Sequence, residues 1–242
     1  DLSKLTLIFP SKRASIFFTA SLVESGFKNA WLPRVITLNE FVERLYPGKI
    51  VDNLTLISEL YLLVKQLKIK DIESFEKFYP LGRVLLSDFN RVDAYRINAG
   101  DFYKNLKEIE EIERWSFNSD KLSERQKDFN DFWISQGKIY TEFQEVLLEK
   151  KLAYPGMASR YISENTERFF KKLTGQAFLF AGFNALSKTE QLIIDALDKW
   201  TDMYYMPDID LFFVENDREA GYFYRKLNKK YSWPGLREIP DK

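Results

Sequence analysis

The chain has 242 residues, 45% hydrophobic, 16% aromatic and 30% charged, which is the profile of an ordered, helix-rich globular protein and not of a disordered segment. It contains no cysteine and no histidine, which excludes disulfides, thiolate nucleophiles, imidazole bases and the usual zinc sites. Its 36 basic and 36 acidic residues balance, so any nucleic-acid contact has to come from local patches.

Leu5 to Phe9 is a short apolar run stopped by Pro10, and a helical pattern follows through Ile16, Phe17, Ala20 and Val23 to a terminating Gly26. That reads as strand, loop, helix. Arg34 to Leu38 is β-rich, and Asn39 is the expected cap of a helix from Glu40 to Tyr46 that stops at Pro47-Gly48. From Asp52 the pattern turns to long amphipathic helices. Leu56, Leu60, Leu63 and Leu67 recur at helical spacing, then Phe75, Phe78, Val84, Leu85 and Phe89, with Pro80 expected to begin a fresh helix. Ser123 to Lys151 carries Phe129, Phe132, Trp133, Gln136, Ile139, Tyr140, Phe143, Val146 and Leu147. This stripe predicts one helix roughly 40 Å long at about 1.5 Å per residue.

After Pro155-Gly156 a helix is expected around Met157 to Glu164. Ala177 to Ala181 is a continuous apolar run of the kind that forms a buried parallel strand. Gly182-Phe183-Asn184 turns the chain toward a helix with a capping box, Ser187 and Glu190. Asp202 to Met206 is a further strand candidate, followed by a basic helix from Arg218 to Lys230. The pattern as a whole predicts a parallel α/β core, residues 1–50 and 166–242, interrupted by a helical insertion over 51–165.

No run approaches the ~20 apolar residues that cross a bilayer. Together with the lack of cysteine this makes a cytoplasmic location the expectation. Asp1 to Lys4 hold neither an initiator Met nor a signal-peptide core, so a trimmed or partial chain is expected.

The loop after the first strand is where a nucleotide phosphate would be cradled. It reads Pro10-Ser11-Lys12-Arg13-Ala14 and has no glycine, so its backbone does not easily wrap a β-phosphate. The end of the strand at Ala177 to Ala181, where a motor ATPase places carboxylates for Mg²⁺ and water, offers Ala181 and Gly182. Lys12 and Arg13 at a helix N-terminus are instead suited to grip a DNA phosphate, or else are solvated loop charges. Pro207-Asp208 resembles the opening of a PD-(D/E)XK nuclease site, but no acid-x-Lys follows it in reach, and a turn is the plainer reading. Asp88 with Asp93, and Asp128 with Asp131, read as solvated or capping acids. Phe129, Trp133, Tyr140 and Phe143 read as core and not as a base-stacking platform. Arg225, Lys226, Lys229 and Lys230, near Tyr224 and Tyr231, form a basic patch that either follows phosphates or is a solvated helix face.

Several stretches, in order along nearly the whole chain, carry a resemblance to one family. They are Phe9-Pro10-Ser11-Lys12-Arg13-Ala14, Ile36-Thr37-Leu38-Asn39-Glu40-Phe41, Leu85-Leu86-Ser87-Asp88-Phe89 with Val92-Asp93, and Asn105-Leu106-Lys107 with Glu110 to Glu113. Leu152-Ala153-Tyr154-Pro155-Gly156-Met157, the run from Gly182 to Glu190, and Glu219-Ala220-Gly221-Tyr222-Phe223 complete the set. Together they resemble bacterial PD-(D/E)XK nuclease-family proteins related to AddB, the helicase-nuclease subunit of double-strand-break resection.

The resemblance implies a superfamily 1 helicase-like front portion: a RecA-like (P-loop NTPase-like) parallel sheet with a large helical insertion subdomain. It implies a nuclease, with its Mg²⁺, only downstream of this chain, and no cofactor within it. Where AddB proteins proper carry a P-loop with Gly-Lys-Ser/Thr, this chain has Ser11-Lys12-Arg13, whereas its Gly182-Phe183-Asn184 turn matches the family's own degenerate second motif. The implied role is an ATPase-inactive module in DNA repair and recombination. Its partners would be DNA, single-stranded or a duplex end without sequence preference, and a partner helicase-nuclease subunit. The expected phosphate-binding residues are Ser11, Lys12, Arg13 and Thr37, and no residue of this chain is expected to be catalytic. The alternatives are a protein scaffold for a partner helicase without DNA contact, and an atypical DNA-dependent ATPase.

Overall fold

The computed structural model of the chain describes residues 4–25, 32–68, 74–105, 135–207 and 219–231. The chain divides into two compact units, Asp1–Leu45 with Asn165–Lys242, and Tyr46–Glu164.

The first unit is built on a four-stranded parallel sheet. The strands are β1 (Leu5–Phe9), β2 (Arg34–Thr37), β5 (Ala177–Ala181) and β6 (Asp202–Met206), in the order β2-β1-β5-β6. β1 and β5 are central and apolar but for Thr6, because both of their faces are covered. On one face Leu7, Phe9 and Ala181 pack with Ala14 and Phe18 of α1 (Lys12–Glu24). On the other, Phe178 meets Phe41 of α2 (Leu38–Leu45) edge to face. β6 is an edge strand, and its Tyr204 and Met206 are exposed.

Between β1 and β2 the chain runs outward through α1, and between β5 and β6 it runs outward the other way through α8 (Lys188–Leu197). The order therefore reverses between β1 and β5, the kind of place where open α/β sheets bind ligands beyond the carboxyl ends of their strands. The expected capping box of α8 forms: Ser187 Oγ accepts from Glu190 N, and Glu190 Oε2 accepts from Ser187 N. α7 (Thr166–Phe170) precedes β5, and the basic α9 (Tyr222–Tyr231) follows β6.

α1 departs from the expected pattern. Ile16, Phe17 and Val23, which define its helical periodicity, are each about 60% exposed, and Ala14 and Phe18 pack on the sheet instead, with Ser15 buried. α2 begins at Leu38, directly after β2, so Asn39 lies inside the helix and is not its cap.

The second unit is helical. It contains α3 (Asn53–Leu67), α4 (Phe75–Ala94), α5 (Gln136–Glu149) and α6 (Pro155–Glu164) around a core of Leu56, Leu60, Phe78, Phe89 and Phe143. Two short strands the sequence did not announce, β3 (Lys49–Ile50) and β4 (Leu152–Ala153), pair in parallel. Gly48 is needed beside them, because a Cβ there would stand 2.4 Å from the Lys151 carbonyl oxygen.

Pro80 does not begin a helix. It sits in the second turn of a continuous α4 capped by Ser74, and the helix absorbs the loss of one backbone donor. Phe78, Leu85 and Phe89 hold that stretch against the core, and Gly82 lets α3 approach closely. Val84 is exposed, contrary to its place in the periodic reading. Of the long helix expected over Ser123 to Lys151, Gln136–Glu149 is helical, Lys150 and Lys151 turn out of it, and residues 123–134 lie outside the described residues.

Asp93, expected from sequence to be a solvated or capping acid, is 1% exposed and is the centre of a polar cluster. It accepts from Tyr140 Oη at 2.6 Å, Gln144 Nε2 at 2.8 Å, Arg160 at 3.2 Å and Tyr154 Oη. Burial, reinforced by the Asp93 carboxylate, pushes the Tyr140 and Tyr154 phenols well above the usual tyrosine range. Its sequence neighbour Asp88 is half-buried, and burial raises its carboxyl.

Candidate functional site

The four residues singled out from sequence gather at the carboxyl end of neighbouring strands, since β1 and β2 pair with Phe9 opposite Thr37. Ser11 has extended backbone and caps α1, its Oγ accepting from Ala14 N at 3.2 Å. Lys12 and Arg13 open that helix, and the Arg13 guanidinium stands 5.8 Å from the centre of the Phe17 ring.

Thr37 and Glu40 cap α2 reciprocally. Glu40 N donates to Thr37 Oγ1 at 3.1 Å, and Thr37 N donates to Glu40 Oε2 at 2.8 Å. The other carboxylate oxygen, Oε1, accepts from Lys12 Nζ at 2.7 Å, which ties the crest of β1 to that of β2. The hydrogen bond from Lys12, then that from the Thr37 backbone, hold the Glu40 carboxyl below the usual glutamate range.

Glu40 is therefore the member of this crest that the sequence reading passed over. The signal was present, because Thr37-Leu38-Asn39-Glu40 has the T-x-x-E form of a capping box just after a strand. Its consequence is chemical: a carboxylate sits between the two loops and neutralises Lys12, and Arg13 is left as the cation without an ion-pair partner among the described residues.

Across the sheet, β5 ends in Gly182 at φ +78°, a conformation that favours glycine, with Gly182 N donating to the Met206 carbonyl at 2.9 Å. A Cβ at Gly182 would come within 3.7 Å of Pro10, so the two loops that flank the strand-order reversal face each other. Neither loop brings a carboxylate from its own residues, Pro10-Ser11 and Ala181-Gly182.

Of the remaining candidates, Tyr140 and Phe143 are buried core, as expected, with Phe89 packed edge-on to Tyr140. Phe129, Trp133, Asp128, Asp131 and Asp208 lie outside the described residues. On α9, Arg225 is half-buried and Lys226 exposed, and the side chains of Lys229 and Lys230 lie outside the described residues. Among the described residues no three acidic groups are placed to hold a metal ion, and no helix is long and apolar enough to cross a membrane. Comparison with protein-family models and with curated proteins finds no match for this sequence.

Proposed function

We propose that the first unit is a RecA-like, helicase-related module that binds the DNA backbone without hydrolysing ATP, in a bacterial double-strand-break repair nuclease related to AddB. The observation that supports this reading is the crest of β1. It lies at the strand-order reversal of a parallel sheet and opens a helix N-terminus with Lys12 and Arg13, where a motor would need glycines and, across from them, a carboxylate. Such a crest suits a phosphodiester better than a triphosphate with its metal.

The reading predicts salt-sensitive, sequence-independent binding of single-stranded or tailed DNA. Replacing Lys12 and Arg13 together by Ala is expected to weaken binding at least tenfold at low salt. It should also flatten the slope of log K against log salt by roughly 1.4, two phosphate contacts at about 0.7 each. Wild-type filter binding without affinity, or a double variant indistinguishable from wild type, rejects the proposal. DNA-stimulated ATP hydrolysis abolished by Lys12→Ala would put an atypical ATPase in its place.

A second reading, a scaffold for a partner helicase, is favoured by the exposed apolar stripe Ile16, Phe17 and Val23 on α1 and by the neutralisation of Lys12 by Glu40. Its mark is a stable complex with a helicase subunit in the absence of DNA affinity.

A further inference from the structure

The second unit holds a cavity of about 330 Å³, at the lower end of the ~300–1,000 Å³ typical of small-molecule sites. One wall is α4, which presents Arg83, Ser87 and Asn90 at i, i+4 and i+7 on a single face. Asn53, the first residue of α3, faces them, and Leu86 and the buried Tyr154 supply an apolar floor.

The polar lining is donor-rich and unspent. Among the described residues the side chains of Arg83, Ser87 and Asn53 have no hydrogen-bond or ion-pair partner. Asn90 uses its Oδ1 to accept from Gly156 N at 2.8 Å, which leaves its two Nδ2 donors for the cavity. Among the described residues no carboxylate lines the space. The nearest in sequence are Asp52, whose two oxygens are both held by Thr55, and Asp88, whose charge acts on Tyr103 and Arg91.

Two helices, α3 at Asn53 and α6 at Pro155, begin at the cavity, so the positive ends of both face it. The wall is also fixed in place: a Cβ at Gly156 would stand 2.4 Å from the Asn90 carbonyl oxygen, so α6 starts directly against α4.

A guanidinium with a planar fork of donors, three further polar side chains and no acid select an oxyanion, and the apolar floor gives room for an organic body attached to it. We infer that this cavity binds the phosphate group of a nucleotide, with Arg83 as its principal ligand. The phosphate belongs either to a free nucleotide or to a nucleic-acid strand. The inference does not rest on the helicase-like reading, because Lys12 and Arg13 belong to the other unit.

The test titrates the full chain with inorganic phosphate, AMP and an oligothymidylate, followed by ³¹P NMR and calorimetry. Saturable binding of at least one phosphate ester is expected, weakened at least tenfold by Arg83→Gln and also by Asn53→Asp. The second substitution adds a carboxylate at a helix start that tolerates it. AMP binding without oligonucleotide binding identifies the free nucleotide as the source; the converse identifies a strand. Absence of saturable binding, or binding unchanged in Arg83→Gln, overturns the inference. Retention of Arg83-dependent binding in the Lys12→Ala, Arg13→Ala double variant separates it from the proposal for the first unit.

Discussion

At the crest of β1 and β2, Thr37, Glu40 and Lys12 satisfy one another and Ser11 is taken up by the Ala14 N–H, whereas in the cavity beside α4 the side chains of Arg83, Ser87 and Asn53 have no partner among the described residues. Both are polar clusters at helix starts, yet at the first only Arg13 is left without an ion-pair partner among the described residues. The difference lies in how the helices are capped. α1 and α2 draw their caps from the very residues that a ligand would need. In the second unit α3, which begins at the cavity, is capped by Asp52, which does not line it. A polar residue at a phosphate-loop position is therefore weak evidence of a site until its local hydrogen bonds are counted.

The largest effect expected from breaking this comparison comes from a third polar cluster, the one around Asp93. It is buried and fully paired, so its role is to fix the second unit and with it the walls of the cavity. Asp93→Ala leaves Tyr140, Tyr154, Gln144 and Arg160 without their common acceptor. Removing one partner from a buried ionic cluster costs about 3–5 kcal/mol. The low end, about 3 kcal/mol, is expected here, because Arg160 is 27% exposed and keeps Glu164. Urea unfolding measures it, and a loss under about 1 kcal/mol would show that the cluster does not hold the unit together.

The same cluster gives a pH-dependent effect. Tyr140 and Tyr154 have phenols raised by burial, so above about pH 10 the unfolded chain releases protons that the folded chain keeps. Stability is then full below that pH and falls as pH rises, by about 1.4 kcal/mol per pH unit for each tyrosine. Alkaline unfolding that coincides with delayed phenolate absorbance is the expected result. Two phenols that titrate near pH 10 before unfolding would show that they are not shielded.

The central strands were legible because a parallel strand buried on both faces has to be nearly all apolar, and Ala177–Ala181, and Leu5–Phe9 but for Thr6, are. The same logic failed for α1, where Ile16, Phe17 and Val23 have helical spacing but point away from the sheet: periodicity locates an apolar stripe without saying what it meets. Asp93 was misread because charge alone places an acid outside, and its partners lie 47 to 67 residues away in sequence. The cavity left no signal in the sequence. Arg83 and Ser87 are exposed residues of an amphipathic helix, and only packing brings Asn53 to face them. At the crest of β1 the sequence named residues that the fold places side by side, and missed Glu40 because Asn39 looked like a sufficient cap.

The smallest expected effect sharpens the comparison most, because it asks whether the crest can be made to resemble the cavity. Glu40→Gln removes a charge while keeping the capping box, since Gln at that position serves as well as Glu. The stability cost is therefore the Lys12 ion pair alone, below about 1 kcal/mol because both groups are partly exposed. That difference has a pH signature. Glu40 is held below the usual value of about 4.3, so the wild type carries its advantage above that pH and loses it as pH falls through the lowered one. If the crest binds a phosphate backbone, freeing Lys12 is worth about threefold in affinity for single-stranded DNA at low salt, a gain that should vanish when Lys12→Ala is added. A Glu40→Gln variant with unchanged DNA affinity would mean that Lys12 is committed to joining β1 to β2, and that Arg13 alone remains to face a strand.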